Sequence, residues 1–231
     1  MDTMLHGYLP AILGGLALTL QIAAASLLVA CVLGMLGALA KLSKSRVARV
    51  VADAYTTLIR GVPDLVLMLL TFYGGQAIVN WAVQKMGGSY VDIDPFIAGT
   101  LTVGFIFGAY LTETFRGAIL AVPRGQIEAG YAYGMSFTRT LWRITLPQMI
   151  RHALPGFVNN WLVMIKATAL VSIIGLDDMV HRAGLATAAT REPFTFYAAI
   201  ALIYLTITSV SLFVLWRVEL RFSRGVRRVA A

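Results

Sequence analysis

From Thr3 to Ala40 the chain carries no Asp, Glu, Lys or Arg. A helix needs roughly 20 apolar residues to cross a bilayer, and a helix satisfies its own backbone there. This stretch therefore predicts one crossing, at about 12-40, after a short N-terminal segment. Leu65–Gln84, Pro95–Thr112 and Pro193–Trp216 are also free of charge, and Ala153–Leu176 contains only Lys166. With their flanks they predict spans at about 62-84, 95-117, 153-177 and 194-217. Of the 231 residues, 58% are hydrophobic and 13% charged, roughly half the charge of a soluble domain. A water-soluble monomer, a disordered chain and a coiled coil are excluded. The expected fold is all-α and integral to the membrane, a single domain over 1-231 with five transmembrane helices.

An odd number of spans puts the termini on opposite sides, and the positive-inside rule orients them. With the N-terminus periplasmic and the C-terminus cytoplasmic, fifteen Lys and Arg fall inside. They are Lys41, Lys44, Arg46, Arg49 and Arg60, then Arg116, Arg124, Arg139, Arg143 and Arg151, then Arg217, Arg221, Arg224, Arg227 and Arg228. Only Lys85, Arg182 and Arg191 fall outside. The net charge of +8 is thus accounted for by topology, with no nucleic acid expected, and the tail Arg217–Arg228 faces lipid headgroups. No Lys or Arg precedes Lys41, so a cleavable signal peptide is not expected.

Enzyme chemistry finds no footing. Cys31 is the only cysteine, and His6, His152 and His181 are scattered over both sides. That leaves no expected metal site, no catalytic residues and no disulfide. Neither H-E-x-x-H nor G-x-S-x-G occurs, and no G-x-x-x-x-G-K-[ST] phosphate loop.

The outer loops, roughly Lys85–Pro95 and Met179–Pro193, are too short for a domain. The inner loop at about 118-152 is the long one. After Pro123, Gln126–Gly134 can form a short helix. Ser136 is placed to cap a second, in which Phe137, Leu141, Ile144 and Met149 recur at helical spacing. Such a pair of helices reads as a docking surface. In Val50–Pro63, Val50, Val51, Ala54, Tyr55, Leu58 and Ile59 share one helical face before Arg60-Gly61-Val62-Pro63 interrupts. The interruption is either a turn between an interfacial helix and a span, or a half-helix end of the kind that binds ligand in transporters.

These residues carry a resemblance. Glu128-Ala129-Gly130, three residues, Gly134, nine residues, then Ile144-Thr145-Leu146-Pro147 resembles the EAA loop of bacterial ABC importer permeases at every spacing. Gly130 stands where a second alanine is usual, and a glycine weakens a helix by up to about 1 kcal/mol. Arg60-Gly61-Val62-Pro63 is similar to the R-G-T-P segment of polar amino acid importer permeases, and Glu113-Thr114-Phe115-Arg116-Gly117 to their E-x-F-R-G. Lys166-Ala167-Thr168-Ala169-Leu170-Val171-Ser172 resembles their K-D-T-S-L-V-S, with Ala167 in place of the acid. Over essentially its full length the chain is most similar to the Q-type permease subunits of histidine and lysine/arginine/ornithine importers.

The resemblance implies a type I ABC importer permease fold in the bacterial inner membrane, translocating basic amino acids from periplasm to cytoplasm. It implies a second, M-type permease as heterodimer partner, two copies of an ABC ATPase subunit and a periplasmic amino-acid-binding protein. ATP and Mg would be used by the ATPase, with no cofactor held by this chain. Glu128, Ala129, Gly130, Gly134, Ile144, Leu146 and Pro147 would couple to the ATPase. A related substrate such as an opine or glutamine is the nearest alternative, and a self-sufficient carrier or channel the alternative from another class. Candidates for the substrate pathway are Arg60, Gly61, Pro63, Asp64, Glu113 and Lys166, because charge inside a membrane is costly and faces a cavity or a partner. Asp64 either caps its helix or meets a cationic side chain. Glu113 either pairs with Arg116, one turn on, or touches substrate. Lys166 meets either an α-carboxylate or an acid on another span. Asn159 and Asn160 are candidates for hydrogen bonds between helices.

Overall fold

The computed structural model describes residues 4–222; Arg224, Arg227 and Arg228 of the basic tail lie outside them. After a 3-10 turn at Met4–Gly7 come α1 (Leu9–Leu42), α2 (Arg46–Gly61), α3 (Asp64–Lys85), α4 (Pro95–Leu120) and α5 (Arg124–Ala132). Then follow α6 (Phe137–Thr140), a π-helical turn (Leu141–Thr145), α7 (Leu146–Ala167), a 3-10 stretch (Thr168–Ile174), α8 (Met179–Thr190) and α9 (Pro193–Phe222). Among the described residues, five helical rods are long and apolar enough to cross a membrane: α1, α3, α4, the continuous run Phe137–Ile174, and α9. They fall on the five charge-poor runs. The fourth begins earlier than 153, because Ser136 caps a helix that does not stop before the membrane.

α4 is the axis of the fold. α1 packs along it and α7 lies on its other side. The seam is made of small residues, with Gly34, Ala30 and Ala38 of α1 against Gly104, Gly108 and Ala109 of α4, all buried. A Cβ on Gly104 would sit 2.6 Å from Val29 Cβ, so the two backbones approach more closely than larger residues permit. Between membrane helices, close packing replaces the hydrophobic effect as the driving force. Ser26 Oγ also crosses the seam, donating to the Thr100 carbonyl at 3.2 Å.

One local reading is refined and one corrected. In α2 the buried residues are Ala52, Thr56 and Ile59, while Val50, Val51 and Leu58 are exposed. The apolar side is wider than the strip that packs on α1 and α4. Met179–Pro193 is not a plain loop but holds α8. Asp178 Oδ1 accepts from the backbone N–H of Val180 and His181 at its start. Met179, Ala183 and Ala186 form its buried face, against Ile12 of α1 and Phe196 of α9. At twelve residues α8 is too short to cross the membrane.

Candidate functional site

The loop between α4 and α7 folds as two helices in a hairpin. Pro123 precedes α5, where its missing N–H costs nothing. At the far end the Met135 N–H donates to the Gly130 carbonyl and the Gly134 N–H to the Tyr131 carbonyl. That pair of bonds is a Schellman cap, and Gly134 provides the left-handed residue it requires, at φ +74°. Ser136 Oγ then accepts from the Arg139 N–H and opens the second helix.

Gly130 is where the two helices touch. A Cβ there would lie 2.8 Å from Ile144 Cδ1 and 3.3 Å from Thr140 Cγ2. The glycine therefore makes room for a close approach instead of only loosening α5. Thr140, not Phe137, is the buried residue of the second helix, and Phe137 is exposed. Pro147 cannot donate to the carbonyl four residues back. Over Leu141–Thr145 the helix widens instead, with the Leu146 N–H reaching the Leu141 carbonyl, and this turns the following residues. Leu146 packs on the main core; Pro147 is exposed. Gln148 Nε2 donates to Gln126 Oε1 at 2.6 Å and to the Ile144 carbonyl at 3.0 Å, which ties α5 to α7. Neither glutamine has a sequence signal, since their meeting depends on the hairpin.

Glu128 and Ala129 lie on the exposed side of α5. Glu128 has no hydrogen bond or ion pair among the described residues. Tyr133, Phe137 and Trp142, large and exposed, lie on the same loop. Solvent-facing aromatics beside a free carboxylate fit a protein interface better than a solvated surface.

The intramembrane candidates fall into three places. The first is the α2–α3 break. α2 ends at Gly61, Val62 is extended, and Pro63 precedes α3. Asp64 is half-buried, and its hydrogen bond is to Tyr110 of α4, whose hydroxyl donates to Oδ1 at 3.5 Å. It makes no capping bond to α3. The Arg60 guanidinium stands 5.7 Å from the Tyr110 ring centre. The second is Glu113, one turn beyond Tyr110. It accepts from Arg116 Nε at 2.9 Å and from Lys41 Nζ at 2.5 Å. Lys41 is also 2.8 Å from Asp53 of α2, and this bond holds the Asp53 carboxyl below the usual carboxylate range. Lys41 is thus the hub of a network joining α1, α2 and α4, and Glu113 is its α4 member. The partner Lys41, 72 positions away in sequence, has no spacing that announces it.

Lys166 is the third place and does not join the others. It is exposed and, with Tyr197, Tyr204 and Thr208, lines an open groove of about 750 Å³ between α7 and α9. One residue beyond it α7 ends and the chain tightens into seven 3-10 residues that close at Gly175, φ +95°. A 3-10 run longer than four residues is uncommon and often marks a hinge. Asn160 Nδ2 donates to Thr114 Oγ1 at 2.9 Å, binding α7 to α4.

Comparison with known proteins completes the picture. The family described as "binding-protein-dependent transport system inner membrane component" matches residues 30–224. The chain is 52% identical over 225 residues to the histidine/lysine/arginine/ornithine transport system permease protein HisQ of Salmonella typhimurium, covering 97% of this chain and 99% of that one. It is 41% identical to the octopine transport system permease protein OccQ of Rhizobium radiobacter, over 92% of this chain and 90% of the relative. Among solved structures, an amino acid ABC transporter determined with histidines superposes with a TM-score of 0.77 at 32% identity, over 93% of this chain and 95% of that one.

Proposed function

The chain belongs to the family of binding-protein-dependent transport system inner membrane components, and from that premise we propose that it is the permease subunit of an ATP-driven importer of histidine, lysine, arginine and ornithine. The observation that carries the substrate class is the 52% identity to HisQ, spread over almost the full length of both chains. The importer's ATP is hydrolysed by separate ATPase subunits, and its substrate arrives on a binding protein. Its second permease is an M-type homologue, so that the complex is a heterodimer of permeases on two ATPases.

Glu128 and Ala129 meet the ATPase. Gly134 sets the turn, and Gly130 with Ile144, Leu146 and Pro147 passes the motion on. Closure of the ATPases moves α5. The Gly130 contact and the Gln126–Gln148 bond carry that displacement to α7, whose other end bears Lys166 and the 3-10 hinge. Arg60, Gly61, Pro63 and Asp64 line the pathway at the α2–α3 break, and Lys166 lines it from α7. Glu113, tied to Lys41 and Arg116, positions α4 instead of touching substrate.

Reconstitution tests this. Proteoliposomes holding the four-subunit complex, supplied with loaded binding protein and internal ATP, should accumulate arginine, lysine, ornithine and histidine. Uptake that persists without the ATPase would identify a self-sufficient carrier. Accumulation of octopine alone would give the chain the substrate named for its OccQ relative.

A further inference from the structure

A groove of about 670 Å³ runs between α1, α2 and the middle of α4, sharing no lining residue with the α5–α7 hairpin or with the groove at Lys166. Leu33 and Leu36 form one wall, Val51 and Leu58 the other, and Phe105 the back. The polar group among these walls is the Tyr55 hydroxyl, and it donates to the Phe105 carbonyl at 2.5 Å. The groove therefore offers hydrocarbon and no free hydrogen-bonding group, which rules out an amino acid or any other polar solute as its occupant. Along α2 it extends from Ala48 to Ile59, about 16 Å at helical rise. That is close to half of a ~30 Å hydrocarbon core, the length of one leaflet's chains.

Four cations, Lys41, Lys44, Arg46 and Arg49, cluster at the Ala48 end, while Arg60 at the other end stands over the Tyr110 ring. Lys41 is committed to Asp53 and Glu113. Lys44 and Arg46, next to Ala48, are exposed and meet no carboxylate among the described residues. α2 thus pairs a broad exposed apolar face with cations at its entry, where they can attract an anionic lipid headgroup.

We infer that this groove is a phospholipid site, one acyl chain lying between α1 and α2 and an anionic headgroup held by Lys44 and Arg46. In the proposed orientation the lipid belongs to the cytoplasmic leaflet. It would brace α2 from the side opposite Asp53, and so hold the break at Gly61–Pro63 in place.

The test is lipid retention by the purified complex in nanodiscs of phosphatidylcholine containing a minor share of phosphatidylglycerol, read by native mass spectrometry after release into detergent. Wild type should keep phosphatidylglycerol over phosphatidylcholine by on the order of 10-fold beyond their supply ratio. Val51→Trp, which fills the groove from an already exposed position, should bring retention to the supply ratio. So should the double variant Lys44→Gln/Arg46→Gln, which leaves the groove's shape intact. Either variant keeping the wild-type preference overturns the site. Loss of the second permease from the Val51→Trp complex also overturns it, because the groove would then be a protein interface.

Discussion

Asp64 is a carboxylate at the start of a membrane helix with one long hydrogen bond, 3.5 Å from the Tyr110 hydroxyl. Charge in such a place is expensive unless compensated. Arg60 is drawn toward the Tyr110 ring at 5.7 Å and forms no ion pair with Asp64 among the described residues. The carboxylate keeps acceptor capacity for a cation from outside the chain. Asp64→Asn preserves shape and removes the charge. Arginine and lysine uptake should then fall by roughly 10-fold, about 1.4 kcal/mol. Histidine, mostly neutral at pH 7.5, should change little. Initial rates for the three at matched protein levels check this, and an unchanged ratio would remove Asp64 from the pathway. Sequence made Asp64 visible because an acid next to an apolar run stands out. It did not reveal Tyr110 as its partner, nor Lys41 as the partner of Glu113, since both contacts join separate helices and no spacing rule relates them.

At the scale of elements, the two helices of the loop between α4 and α7 were legible from capping and spacing, but their contact was not. Gly130 reads in sequence as a weak helix residue, whereas in the fold it is the seat for Ile144 and Thr140. Ile144 Cδ1 is the end of a flexible side chain, so Gly130→Ala should be tolerated, with coupling within about twofold of wild type. Gly130→Leu cannot be accommodated that way, and overpacking of this kind costs about 1–3 kcal/mol. ATP hydrolysis should then lose its stimulation by loaded binding protein while membrane insertion is unchanged. Vesicle ATPase assays separate the two variants.

α8 was hidden for a different reason: charge gaps locate crossings, and a short helix lying on the bundle leaves none. Its signal was the Asp178 cap with Met179, Ala183 and Ala186 at helical spacing. Asp178 is fully buried, and its Oδ2 has no hydrogen-bond partner among the described residues. Burial pushes its carboxyl up to about 6, against the capping N–H groups of His181 and Val180, the nearby His181 side chain lowering it and Asp177 raising it. A carboxyl raised on folding binds more protons folded than unfolded between about pH 4 and 6. Stability from this group is therefore present at low pH and lost as pH rises through 6. Asp178→Asn keeps the cap and removes the buried charge. It should raise the melting temperature at pH 7.5, by a free energy of up to about 3 kcal/mol, and flatten the melting profile between pH 4.5 and 7. A melting profile as steep as wild type in the variant would exclude Asp178 as the titrating group.

For the whole molecule, α4 is buried by its neighbours, while α3 and α9 keep most of their apolar surface outside. That surface is left for lipid or for other subunits, and the two could not be told apart from composition, since lipid-facing and protein-facing helices are equally apolar. Orientation, by contrast, rests on charge alone. Fifteen Lys and Arg on one side against three on the other is a large bias for the translocation machinery, which counts basic residues in short loops. Five spans then oblige the loop after α3 and the C-terminal tail to lie on opposite sides. A reporter active only in the periplasm should work when fused after Gly88 and stay silent after Gly225, and a cytoplasmic reporter should give the reverse. The inner loop supplies the internal control, because a fusion after Gly125 should match Gly225. If Gly88 and Gly225 report the same side, one of the three rods between them does not cross. The rod Phe137–Ile174 would then be the first to re-examine, being the one with Lys166 and Pro155 inside its apolar length.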